Sequence, residues 1–480
     1  MAIAMMMRSN RTNKFAIVGF RLLCAARRRP IRLAVAAALF FGFSTASGQE
    51  DVRADVVAKK FAPSLVAIER SAADSPEPRF VEYATGVVIS HSGQVMTHYH
   101  LLGDIASSKF VVHHQGHAYH SVTIVAADAW TDLAILRVDQ LAATPIEFAA
   151  NANPHAGESV YLVGNSVRIA RNLTPDVSSA KLTAADTRIT TDKTTAVAAQ
   201  SPTVYSHGGL LDFDQLTPFA SSGGLVVDGE LRPIGTLASA KAIGDYTQAR
   251  PIGVCIDPAI QQMVVRLQSG ELLEFGFLGV QTEDPAPDDL ETQVTPGLRV
   301  TQVVAGTPAE KVGLQFNDIL VGLDDQPISS THQLLRTVGL RPPLSKVSLQ
   351  VLRTDPLLRR QRRLTLEATL AKKHIRSVRP SISQAKPQIW RGISVDFATA
   401  VPDIETLGFD LTECVVVTNV QLDSPAWQSG LRPGMFLHHW NGKPIGSPQD
   451  FWEQARQAQD ESVRITSLPS QAMFTVSGSP

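Results

Sequence analysis

Ser221 and Ser222 stand side by side ahead of two glycines, in the stretch Ala220-Ser221-Ser222-Gly223-Gly224. A serine hydroxyl is a weak nucleophile near neutral pH. It becomes useful when a histidine takes its proton and a carboxylate fixes the tautomer of that histidine and stabilises its charged form. Both partners occur upstream: His100 in "VMTHYHLLGD" (95–104) and Asp132 at the head of the apolar run in "DAWTDLAILRVD" (128–139). Together these residue types support acyl transfer, with backbone N–H groups near the serine holding the oxyanion. A serine before two glycines is by itself a tight turn more often than a nucleophile, so the weight lies on the combination. No G-x-S-x-G elbow occurs, and Gly164-Asn165-Ser166 lacks the following glycines.

Strands must position these residues. From Phe61 to about Ile260 the chain alternates short Val-, Ile- and Leu-rich runs with Gly, Asn, Asp and Ser: "SLVAIER" (64–70), "ATGVVIS" (84–90), "KFVVHHQ" (109–115), "DLAILRV" (132–138), "SVYLVG" (159–164) and "GLVVDG" (224–229). That pattern predicts an all-β sandwich or a pair of barrels. "DPAIQQMVVRLQSG" (257–270) then changes to helical spacing and stops at a glycine. Beyond it, "VVAGTPAEKVGLQFNDILVGLDDQPI" (303–328) lies on "VQLDSPAWQSGLRPGMFLHHWNGKPI" (420–445) at a constant offset, which predicts two copies of one module. A basic stretch (353–380) between them reads as a solvated hairpin edge followed by a linker.

The 480 residues exceed one ordinary domain, and 44% hydrophobic against 19% charged residues leaves ample material for a core. A net charge of −1 gives no electrostatic ground for a nucleic-acid partner. "RRRPIR" (27–32), the apolar "LAVAAALFFGFS" (33–44) and "ASG" (46–48) follow the order of a secretory leader cut before Gln49, with an uncleaved anchor as the alternative. Cys24 would leave with it, and Cys255 and Cys414 lie too far apart in sequence to suggest a disulfide framework. "VVHHQGHAYHSVTIV" (111–125) reads as a hairpin, where such histidine spacing does not gather ligands on one face, so no metal is expected.

"TGVVISHSGQVMTHYHLLGD", "ADAWTDLAILRV" and "ASSGGLVVDGELRPIG", in that order, resemble the three catalytic segments of the HtrA (DegP-like) family of trypsin-like serine proteases, and the two repeats resemble its PDZ domains. The resemblance covers nearly everything after residue 52. It implies a mainly β fold, a chymotrypsin-like double β-barrel followed by two α+β PDZ-like domains. It makes His100 the general base, Asp132 its orienting carboxylate and Ser222 the nucleophile, with Ala220, Ser221 and Ser222 forming the oxyanion hole. Leu216 and Leu237 would line the primary specificity pocket, favouring a small or medium apolar side chain. Phe277, Leu278, Gly279 and Val280 would hold a peptide terminus in the first module, and Gly392, Ile393, Ser394 and Val395 in the second.

The chain departs from the family pattern at two places. Ala220 stands where the family has a glycine, whose freedom at positive φ helps aim the oxyanion N–H; holding alanine there costs roughly 1 kcal/mol or more. His98-Tyr99 replaces a small polar pair before the base. The stretch 185–214 also looks longer than usual.

The expected organisation is a leader (1–48), a protease domain (52–268), a first PDZ-like domain (272–371), a linker (372–387) and a second PDZ-like domain (388–478). The expected activity is cleavage of unfolded or damaged proteins, with no cofactor, by an exported protein of the periplasm, cell envelope or exterior. Expected partners are unfolded polypeptides and C-terminal peptides, not nucleic acid, and the family implies a homotrimer or larger assembly. The competing expectation is a pseudoprotease acting as chaperone or PDZ scaffold.

Overall fold

A computed structural model describes residues 46–72, 82–188, 203–217, 221–239, 251–285, 297–355, 360–376, 380–458 and 461–478. The expected leader up to residue 45, Cys24 and Ala220 lie outside these residues. The chain divides into two units, Met1–Gln49 and Glu50–Pro480. Of the first, only Ala46–Gln49 is described, as the start of the helix Ala46–Phe61. No described helix is long and apolar enough to cross a membrane.

Within the second unit the apolar runs become strands close to the expected limits, because turn residues end each run and alternate side chains bury. An eight-stranded sheet runs in the order Ile382–Ser383, Val122–Asp128, Leu133–Val138, Gln94–His98, Glu82–Val88, Leu65–Ala72, Ser108–His114, His117–Tyr119. A closed six-stranded barrel follows: Leu210–Phe213, Pro251–Cys255, Pro233–Ser239, Leu225–Asp228, Ser159–Gly164, Asp176–Thr187. Closure removes the exposed edges that a sheet would otherwise present. The helix Pro258–Gln268 starts where the Asp257 carboxylate accepts the Ile260 N–H, and it buries Ile260, Met263, Val264 and Leu267 on one face.

One difference from the sequence reading concerns the segment taken as a linker. Ile382 and Ser383 pair with Ala127 and Ala126, adding the last strand of the first sheet. Gln384 Nε2 donates to the Ile124 carbonyl at 2.9 Å, and Ser381 Oγ to Asp128 Oδ1 at 2.8 Å. A strand of two residues carries almost no pattern of its own, so it forms only where an unpaired edge already exists.

The two sheets that follow share one strand order. Val280–Glu283, Leu298–Val303, Ile319–Leu323, Lys346–Thr354 and Gln361–Thr369 form the first; Ile393–Phe397, Val415–Val420, Phe436–Trp440, Val463–Leu468 and Met473–Val476 form the second. Gly279 and Gly392 have φ of +86° and +88° and press on Thr307 and Ser424, so a side chain at either would collide. Each loop is then pinned from the same side: Ala309 N–H donates to Leu278 O at 2.8 Å, and Ala426 N–H to Arg391 O at 3.1 Å.

The first of these modules packs against the barrel through the helix Thr331–Gly339. Arg336 Nη2 lies 2.6 Å from Asp257 Oδ2 and its Nη1 donates to Gly208 O at 3.2 Å. The rings of His207 and His332 lie 5.8 Å apart. Burial, then the charges of Lys373, Arg336 and Arg188, lowers the His207 pKa from 6.5 to about 4. Between pH 6.5 and 4 the unfolded chain therefore binds a proton that the folded chain refuses. Stability is full above pH 6.5 and falls as pH drops towards 4, by on the order of 1–2 kcal/mol after allowing for partial exposure. Melting temperatures across that window should fall more steeply for the wild type than for His207→Gln; parallel curves would refute this.

Candidate active site

His100 sits in the short 3-10 turn Tyr99–Leu102, directly after the strand Gln94–His98. That strand pairs with Leu133–Val138 so that His98 faces Leu133. The register sets Asp132, one residue before Leu133, beside the turn, and Tyr99 N–H donates to Asp132 O at 2.9 Å. The Asp132 side chain closes on His100 twice: Oδ1 accepts the His100 backbone N–H at 2.9 Å, and Oδ2 lies 2.6 Å from Nδ1. Burial alone would raise the Asp132 carboxyl, but His100 and then His98 hold it well below the usual carboxylate range.

Asp132 has φ of +55°, and a clamp keeps it there. Asp128 Oδ2 accepts both the Thr131 N–H and its hydroxyl at 2.8 Å. Tyr205 donates its hydroxyl to Thr131 O at 2.6 Å, and Val204 N–H donates to Trp130 O at 2.8 Å. Trp130 packs on Phe275 with ring centroids 4.2 Å apart, and Lys373 lies 4.8 Å over its indole. The same turn thus touches both the Asp132 carboxylate and the start of the following module.

Ser222 occupies the second position of the turn Ser221–Gly224, closed by Gly224 N–H to Ser221 O at 2.7 Å. Gly223, in the third position, has φ of +88°, and a Cβ there would strike the Thr85 carbonyl. This backbone is the one that favours glycine at the third position. Thr85 N–H donates to Ser222 O at 2.9 Å and Gly223 N–H to Leu237 O at 2.7 Å, tying the turn to both sheets. Ser221 is buried against Gly164, so only the second serine is free to face His100. Ser222 Oγ and His100 Nε2 are both buried, and neither has a hydrogen-bond partner. The Asp–His half of the relay is joined in this conformation, and the His–Ser half is not.

Ser166, which lacks the following glycines, opens the helix Ser166–Ala170, with Asn165 as its cap. Leu216 is 75% exposed, while Leu237 is fully buried in the barrel interior. Tyr99, which the sequence left crowded beside His100, turns its hydroxyl away to the Pro380 carbonyl at 2.9 Å. Leu278 and Ile393 are buried, with Val280 and Val395 packed against their module cores. A cavity of about 300 Å³ is lined by Phe277, Gly279 and Val280 and also by Val401 and Ile404. Thr331 Oγ1 lies 3.0 Å from Thr282 Oγ1, linking the facing helix to the strand Val280–Glu283.

The histidine run gathers no site: His113 bonds Glu69 at 2.8 Å, His114 bonds Leu65 O at 3.1 Å and His117 bonds Gln115 O at 3.2 Å. Among the described residues the group whose spacing could take a cation is His98, His100 and Asp132, with ligand atoms within 4.8 Å of one another. A cation there would have to displace the 2.6 Å His100–Asp132 contact. Cys255 and Cys414 are free and buried, and burial pushes both thiols up to about 12, which makes them poor nucleophiles.

The sequence reading missed Asp128 and Thr131, whose clamp is local, and Tyr205, which reaches Thr131 O from 74 positions along the chain. His98 was visible as an unusual neighbour of His100, but its contact with Asp132 was not.

Residues 84–235 match the family model of the trypsin-like peptidase domain, and residues 276–367 that of the PDZ domain. A relative described as "Probable periplasmic serine endoprotease DegP-like" from Pseudomonas fulva is 26% identical over 384 residues, covering 78% of this chain and 73% of its own length. "Serine endoprotease DegS" of Haemophilus influenzae is 26% identical over 289 residues, covering 59% of this chain and 77% of its own. Among solved structures, "HtrA-type protease AlgW with tripeptide" superposes with a TM-score of 0.49 at 20% identity, over 66% of this chain and 97% of that one.

Proposed function

Because this chain belongs to the HtrA (DegP-like) family of trypsin-like serine proteases with PDZ domains, we propose that it cleaves unfolded polypeptides with Ser222 as nucleophile, His100 as general base and Asp132 as its orienting carboxylate. The observation that carries this reading is the double contact of Asp132 with His100, at 2.9 and 2.6 Å. With Asp132 on Nδ1, the proton of the neutral imidazole is held there and Nε2 is left as the base. Ser222 Oγ attacks the substrate carbonyl as Nε2 takes its proton. The imidazolium then protonates the leaving amine, and water reverses the sequence on the acyl-enzyme. The N–H groups of residues 220 and 222 would hold the oxyanion.

The PDZ-like loops at Phe277–Val280 and Gly392–Val395 are proposed to take C-terminal peptides, the peptide adding as a strand beside each exposed edge. The names of its relatives support export to the periplasm, and a homotrimer or larger assembly is proposed on the family resemblance. The segments 52–268, 272–371 and 388–478 are proposed as the three domains.

A second reading, a binding protein on a protease scaffold, is favoured by one observation: Ser222 Oγ and His100 Nε2 make no bond. Incubating the purified protein with a fluorophosphonate probe and with casein separates the two. Label mapping to Ser222 together with fragmentation of casein is the expected result. A folded sample that neither labels nor cleaves, with and without C-terminal peptides, would leave the scaffold reading standing.

A further inference from the structure

We infer that His98 is a positioning residue for the reaction proposed above: a second imidazole that holds the Asp132 carboxylate in place for His100. His98 ends the strand Gln94–His98 and is 1% exposed. Its Nδ1 lies 3.2 Å from Asp132 Oδ2, the same oxygen that meets His100 Nδ1 at 2.6 Å. The two imidazoles lie 5.4 Å apart, tilted by 30°. On the other side, Thr236 Oγ1 lies 3.2 Å from His98 Nε2, reaching from a strand of the barrel.

The carboxylate decides the tautomer. A lone pair on Nδ1 would face the negative Oδ2 and repel it, so the proton sits on Nδ1 and the Thr236 hydroxyl donates to Nε2. The approach to Oδ2 is off the hydrogen-bond axis, and Nδ1 makes no aligned bond. His98 therefore acts as a close N–H dipole on an oxygen whose best direction is already given to His100. In a buried site of low polarity such a dipole still matters, because an ionised carboxylate lacking donors is costly there. An ordinary core histidine would satisfy Nδ1 on a backbone carbonyl, as His114 does at Leu65 O. His98 instead aims it at the oxygen that orients the base.

Thr236 makes the arrangement a bridge between the two sheets: the barrel strand Pro233–Ser239 holds His98, His98 holds Asp132, and Asp132 holds His100. Loss of His98 leaves Asp132 held by His100 alone, loosening the alignment with His100 Nδ1 while leaving substrate contacts alone.

The test compares His98→Ala, His98→Asn and Thr236→Val with the wild type. His98→Ala should lower kcat about 10–100-fold, the range expected for losing a donor to a charged group, with KM within about twofold. His98→Asn places an amide N–H near the lost Nδ1–H and should recover most of that loss. Thr236→Val should fall less, and should add little when combined with His98→Ala. The downfield NMR signal of the His100 Nδ1 proton should broaden in His98→Ala and return in His98→Asn. The inference is overturned if His98→Ala stays within about twofold of wild type, if Asn is as impaired as Ala, or if KM alone changes. Should His98→Ala fail to fold, Thr236→Val decides by the same readings. A wild type without turnover would refute the proposed function, and the NMR signal would still decide the role of His98.

Discussion

Ser222→Ala is expected to lower turnover about 10⁶-fold while leaving the melting temperature unchanged or higher. The first half follows from the chemistry: the other hydroxyl of the turn, that of Ser221, is buried against Gly164. What remains would be the contribution of binding and of the oxyanion donors, about 10³–10⁴ over water. The second half follows from the hydrogen bonds. Ser222 Oγ is buried and unpartnered, a state that costs roughly 1–3 kcal/mol, so its removal relieves a penalty and breaks no contact. The backbone of the turn is held by Thr85, Ser221 and Leu237, none of which needs the hydroxyl. Casein cleavage, fluorophosphonate labelling and a thermal melt on the same preparation check both halves. Residual labelling at another serine, or a marked loss of stability, would contradict this account of the turn.

Asp132→Asn should lower kcat about 10⁴-fold with the fold retained. Asparagine has the same shape and is at ease at positive φ, so the backbone at +55° is not disturbed. Its carbonyl oxygen can still accept the His100 backbone N–H in place of Oδ1. The amide nitrogen then faces His100 Nδ1, which must become the acceptor. The imidazole proton moves to Nε2, where it blocks uptake of the Ser222 proton. A loss of less than about tenfold would mean that Asp132 does not set the tautomer of His100. Asp132→Asn also confronts His98 Nδ1 with an amide N–H, so adding His98→Ala should cost less in this background than in the wild type.

Local signals in the sequence went far. Ser159–Gly164 forms the expected strand residue for residue, because a short continuous apolar run, Val160 to Val163, is bounded by turn signals. The helix Pro258–Gln268 was readable from its apolar spacing and the glycine that follows it. The turn at Ser221–Gly224 was readable too, since only glycine suits its third position. These features arise from interactions within a few residues of chain, where propensity and periodicity act.

What the sequence left open depended on groups that meet only after the chain has folded. Thr236 reaches His98 across 138 positions, and Tyr99 reaches Pro380 across 281. Ile382–Ser383 becomes a strand because an edge awaits it, and Leu216 stands exposed. The residue types of the triad are a property of the sequence. Whether Asp132 is shared by two imidazoles, and whether Ser222 meets His100, is decided by how two sheets pack, which no local pattern encodes.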